Sequence, residues 1–173
     1  MKTRDLTMTA LMAALICAVG PFSIEIGPVP ISLATFAIYL AGAMLGWKRG
    51  AAAVALYLLI GAAGVPVFAG FTGGAGLLAG VTGGYLVGYV PCALITGLGV
   101  SQTAQRPAWL LPLCMMGGTL VLYAVGTAWF MVQTGNPLAA SLGICVLPFL
   151  PGDAAKIAAA ACIAPPVRRA VYR

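Results

Sequence analysis

The chain has 173 residues, of which 62% are hydrophobic and 7% charged, with a mean hydropathy of +1.06. So little polar surface cannot wrap a water-soluble globule, and the solvent around this chain is lipid. The net charge of +6 comes from small scattered groups of bases rather than a stripe, which sets nucleic acid aside; no histidine and five cysteines standing singly argue against a zinc site and a disulfide framework.

Lys2 and Arg4 precede an apolar run from Leu6 as in a signal peptide, but similar runs continue along the chain, so this one is read as a retained first span, about Leu6 to Phe22. On it Ala10, Ala14 and Ala18 recur every four residues and form a flat strip where another helix can approach closely. Packing within the chain is the commoner use of such a strip. The second and third spans fall at about Ile31 to Gly46 and Ala51 to Val67, joined through Lys48 and Arg49. A glycine-rich loop then runs from Val65 to Tyr85; it has no Gly-x-x-x-x-Gly-Lys motif, so it reads as an outer loop or as a lid offering Phe68, Phe71 and Tyr85. The fourth and fifth spans are Gly83 to Val100 and Ala108 to Val132, with Gly84 and Gly88 a small pair suited to helix packing. Pro137 to Val146 is too short to cross and reads as a short helix dipping into the membrane before Pro148 and Pro151 break it. The sixth span runs from Gly152 to Pro165.

Six spans put Lys2, Arg4, Lys48, Arg49, Arg106, Arg168, Arg169 and Arg173 on one side, and leave the other with Glu25 alone. Basic loops stay in the cytoplasm, so both termini are expected there. The expected architecture is an all-α integral membrane protein of six transmembrane helices with irregular outer loops, a single six-helix domain over residues 1–173 in the cell membrane.

Lys156 does not fit that scheme. It stands twelve positions before Arg168, so the helix between them covers only about 18 Å of a bilayer core about 30 Å thick. Its ammonium therefore lies within membrane depth, and Asp153, three residues earlier, shares its helix face. Asp153 could be a helix N-cap after Pro151 and Gly152, but a cation in the first turn opposes the helix dipole and needs an anion or acceptor. An ionisable pair inside a membrane favours a ligand site over a purely structural ion pair.

Several segments taken together resemble one family, the BioY family of biotin-binding S components in energy-coupling factor transporters. They are Gly27-Pro28-Val29-Pro30-Ile31-Ser32-Leu33, Gly64-Val65-Pro66-Val67-Phe68, Phe71-Thr72-Gly73-Gly74, Thr82-Gly83-Gly84-Tyr85-Leu86 with Gly88-Tyr89, and Pro151-Gly152-Asp153 with Lys156. Val81 departs from the pattern, standing where the family usually has proline. The resemblance implies a subunit that captures biotin from outside and delivers it by toppling within a complex of a transmembrane coupling protein and two ATPase subunits. It makes Ala10, Ala14 and Ala18 the surface that docks on the coupling protein, and it matches Asp153 and Lys156 to the family's polar ligand residues. A carboxylate suits the two ureido N–H groups of biotin and an ammonium suits its carbonyl or its tail carboxylate, with both heads at the ureido end the preferred arrangement. Phe36, Phe68, Phe71 and Tyr85 would cover the rings, although ordinary core packing is the commoner fate of each.

Two other classes stay open. A membrane-embedded enzyme would use Asp153 and Lys156 as acid and base, without histidine, a second buried carboxylate or a metal set to support them. A solitary facilitator would carry the vitamin without ATPase subunits. With no Walker motif, this chain is not expected to hydrolyse ATP, and neither an enzyme activity nor a cofactor is expected of it.

Overall fold

Apolar runs bounded by glycine, proline and charge fold into six long helices: α1 (Thr3–Val19), α2 (Ala34–Leu45), α3 (Trp47–Ala62), then, after a short α4 (Gly76–Ala79), α5 (Gly83–Leu98), α6 (Leu110–Thr134) and, beyond a short α7 (Leu138–Cys145), α8 (Leu150–Val171). The computed structural model describes residues 3–24, 28–100, 107 and 109–171; Lys2, Glu25, Gly27, Arg106, Ala108 and Arg173 lie outside the described residues. All six expected spans are present as helices, and the short helix expected at Pro137 to Val146 is α7.

The boundaries differ where backbone geometry overrides composition. Gly46 has φ +79° and serves as the cap of both α2 and α3, turning the chain in one residue. Lys48 and Arg49, expected in a joining loop, therefore stand in the first turn of α3. At the other end of α2, Ile31 and Ser32 leave the expected span to form β2 (Ile31–Ser32), antiparallel to β1 (Ser23–Ile24). The α2 helix keeps 12 residues, about 18 Å of rise. By contrast α6 has 25 residues, about 37 Å, and is long and apolar enough to cross a membrane alone. A break bent by 49° joins α7 to α8. The last helix does not stop at Pro165 but runs through Pro165 and Pro166 to Val171, with Arg168 and Arg169 at its C-terminal, negative end.

Helices α5 and α6 make the most extensive contact between two helices, and glycine lets them approach. A Cβ on Gly84 would lie 2.2 Å from the Trp129 Cβ, and one on Gly88 would lie 2.9 Å from Leu122. The small pair expected to pack does pack, letting two backbones approach as large side chains would not allow. Gly84→Ala is expected to push α5 from α6 at a cost of about 1–3 kcal/mol, read as a lower Tm of the detergent-purified protein. An unchanged Tm would mean that this contact does not set the spacing of the two helices.

The two ends of the bundle are built differently. At one, Arg49 Nη1 pairs with Asp5 Oδ1 at 2.8 Å and an Arg4 guanidinium nitrogen donates to the carbonyl of Val171. The starts of α1 and α3 and the end of α8 thus meet where the described arginines gather. At the other end the loops hold each other: the Gly70 N–H donates to Pro21 O (3.0 Å) and the Phe71 ring meets Phe22 edge-on at 5.7 Å. Trp129 Nε1 donates to Gly80 O (2.9 Å) and Gln133 Nε2 to Ala79 O (2.7 Å), fastening the glycine loop to α6. Irregular backbone here finds its partners within the protein, as it must near hydrocarbon.

Candidate functional site

Asp153 lies one turn into α8 and is 4% exposed. Its own N–H donates to Phe149 O at 2.8 Å, so it is a residue within the helix rather than its N-cap. The carboxylate is met from three elements. Oδ1 accepts from Lys156 Nζ (3.0 Å) and lies 3.3 Å from Thr35 Oγ1 on α2, while Oδ2 accepts from Tyr123 Oη on α6 (2.6 Å). The Lys156 ammonium spends its other two hydrogens on Ser32 O (2.7 Å) and Thr35 Oγ1 (3.0 Å). Ser32 is fixed in turn, since its Oγ donates to Gly20 O and accepts from the Ala34 N–H. A buried ion pair is tolerable when further hydrogen bonds satisfy both ions, and that is the arrangement here.

The pair forms part of the wall of a cavity of about 210 Å³. The remaining wall is mainly apolar and aromatic: Val29, Phe68, Leu77, Leu86, Leu122 and Phe149 with Tyr57, Tyr85, Tyr89 and Tyr123. Phe68 is 2% exposed and meets Tyr57 edge-on at 5.5 Å. The Tyr85 ring stacks on Phe149 with centroids 6.4 Å apart, and its hydroxyl donates to Cys145 O at 3.1 Å with Thr127 Oγ1 at 3.3 Å. Such a space accepts a flat, largely apolar ligand with a few polar atoms, and the opposed charges of Asp153 and Lys156 give its polar wall both an acceptor and a cation.

Of the residues singled out in the sequence, Asp153, Lys156, Tyr85 and Phe68 come together around the cavity, and Phe36 and Phe71 do not. Phe36 is half-buried against the core. Successive helix residues point about 100° apart, so with Thr35 turned to the site its neighbour faces elsewhere. Phe71 takes φ 57° at the end of a short 3₁₀ turn, which leaves the residue 62% exposed with its ring against Phe22. Ser32, Thr35, Tyr57, Tyr89, Tyr123 and Phe149 also line the cavity, and nothing in their residue types singles them out in the sequence. Ser32 and Tyr89 lay inside the quoted motifs, which was the one signal available for any of them.

Ala10, Ala14 and Ala18 are all exposed on α1, whose opposite face buries Thr9, Met12, Ala13 and Ile16. Among the described residues the strip therefore has no helix against it and is presented outward.

The BioY family model matches residues 1–173. The chain is 38% identical over 164 residues to a probable biotin transporter BioY of Pyrococcus horikoshii, covering 95% of this chain and 96% of that protein. It is 37% identical over 161 residues to the biotin transporter BioY of Thermotoga maritima, covering 93% and 94% of the two chains. Its fold is similar to a crystal structure of the S-component for biotin from an ECF-type ABC transporter, with a TM-score of 0.85 and 31% identity over 99% of this chain and 93% of that one.

Proposed function

The chain belongs to the BioY family, and from that premise we propose that it is the high-affinity biotin-binding S component of an ATP-driven importer. It is a transport protein of the cell membrane rather than an enzyme. The observation that carries the reading is the Asp153–Lys156 pair on the wall of an aromatic-lined cavity inside an apolar bundle. The one acceptor site left on the Asp153 carboxylate suits a ureido N–H group, and Lys156 exchanges one of its protein acceptors for the ureido carbonyl. Phe68 and Tyr85 cover the ring system. Phe36 and Phe71 stand outside the wall, and Phe71 joins the site only through movement of its loop.

Residues 1–173 act as a single six-helix membrane domain with both termini in the cytoplasm. What supports that orientation is the meeting of Arg4, Arg49 and the end of α8 at one end of the bundle, where basic residues are retained inside. The cavity then opens toward the outer loops. Energy comes from two ATPase subunits through a transmembrane coupling protein, and the exposed strip of Ala10, Ala14 and Ala18 is the surface that coupling protein docks on.

Calorimetry of the purified chain in detergent is expected to give saturable heat at micromolar biotin, with ATP-driven uptake in vesicles only when the other subunits are present. Absence of binding heat would remove the proposal at its root. Uptake that persists in cells lacking every such ATPase would instead make the chain a solitary facilitator.

A further inference from the structure

Four tyrosines line the cavity, and the hydroxyls of two are already engaged: Tyr85 donates to Cys145 O and Tyr123 to Asp153 Oδ2. Among the described residues the hydroxyls of Tyr57 on α3 and Tyr89 on α5 have no hydrogen-bond partner, although the two residues are only 1% and 8% exposed. Neither oxygen is one of the unpartnered polar atoms sealed inside the described protein, which are Ser23 Oγ and Thr96 Oγ1. Both residues line the cavity, the enclosed space within reach of hydroxyls that are not sealed in the protein. Buried polar groups are almost always satisfied, and a pair left open toward an enclosed space is completed by what enters that space.

We propose that Tyr57 and Tyr89 donate to the tail carboxylate of bound biotin, forming a second polar locus besides Asp153 and Lys156 and making the cavity selective for a free carboxylate. The proposal rests on the biotin reading above. Two observations fix which end of the ligand they meet. The Asp153 carboxylate repels an anionic tail laid against it, and the Lys156 ammonium is shared between that carboxylate and the ureido carbonyl, which leaves it no place for a second anion. An anion drawn into an apolar cavity still requires donors. Two neutral phenols supply them without burying another cation, through hydrogen bonds to a charged acceptor that are stronger than neutral ones. Tyr57 and Tyr89 stand on helices other than α8, so the ligand would bridge α8 to α3 and α5.

The test is calorimetry of the intact purified chain with biotin and with biotin methyl ester, on the unaltered protein and on Tyr57→Phe, Tyr89→Phe and the double variant. The unaltered protein is expected to bind biotin about ten-fold or more tighter than the ester, each phenylalanine to weaken biotin about ten-fold, and ester affinity to stay within about two-fold. The preference for biotin then collapses in the double variant. Variants that keep full affinity for biotin, or that lose biotin and ester in equal measure, would overturn the proposal. So would equal affinity of the unaltered protein for the two ligands, a result that needs no variant to fold. If the unaltered protein binds neither, the biotin reading itself fails, which is a different outcome.

Discussion

Lys156→Ala is expected to weaken biotin binding and to destabilise the protein, the second effect following from what is left behind. Asp153 stays 4% exposed with its cation gone. Breaking a buried ion pair by removing one partner costs about 3–5 kcal/mol, because the remaining charge is uncompensated. Affinity falls for a separate reason, the lost hydrogen bond from a charged donor to the ligand, worth about 1.5–3 kcal/mol or about ten-fold to a hundred-fold in Kd. Asp153→Asn acts differently: it retains the shape but turns an amide toward the hydrogens of Lys156, Thr35 and Tyr123, which need an acceptor on both oxygens. The double variant Asp153→Asn with Lys156→Met is the discriminating one. With no charge left to bury, its Tm should recover toward the unaltered value while biotin binding stays weak. Recovery of binding together with stability would reduce the pair to a structural ion pair, and normal affinity in both single variants would remove it from the site.

The second large effect lies away from the cavity. Ala14→Trp places a wide ring at the middle of the exposed α1 strip, leaving the buried face of Met12, Ala13 and Ile16 untouched. Close helix approach depends on small residues, so the variant is expected to bind biotin normally, fail to co-purify with the coupling protein and support no ATP-driven uptake. Leu120→Trp on α6, where the side chain is 67% exposed, is the control for bulk added to any outward face. It should leave assembly intact. If Ala14→Trp still co-purifies in full, the strip is not the docking surface; if Leu120→Trp also blocks assembly, the effect does not belong to α1.

How much of this was legible depends on how loudly each residue type speaks in an apolar sequence. Asp153 and Lys156 were legible because a charge among alanines has few explanations. Thr35 and Tyr123 hold the same carboxylate and were silent. A threonine in such a helix can satisfy itself on the carbonyl four residues back, as Thr7, Thr9, Thr119 and Thr134 do, so nothing marked Thr35 as the one that reaches across to another helix. A tyrosine in an apolar run reads equally as core, and the hydroxyl of Tyr39 does end on Thr119. The six helices were legible from the runs themselves. Their ends were not, because Gly46 makes a corner of one residue and Pro165 and Pro166 are carried inside α8. The Asp5–Arg49 contact was hidden for another reason: its two charges are far apart in the chain, Arg49 was accounted for as a loop base, and nothing marked Asp5.

The placement of Asp153 and Lys156 on one helix bears on how the protein is made. Each charge alone would resist entering the bilayer by about 2.5–3.5 kcal/mol at the centre of a span. Three residues apart on α8, they reach each other at 3.0 Å before any tertiary neighbour is needed. The final segment can thus leave the ribosome and partition into lipid carrying its own counterion. The earlier helices wait there holding only the hydroxyls of Thr35 and Tyr123, which are far less costly in oil than an ion. Insertion on these terms strands no lone charge in the hydrocarbon, and the cavity closes as α8 joins the earlier helices.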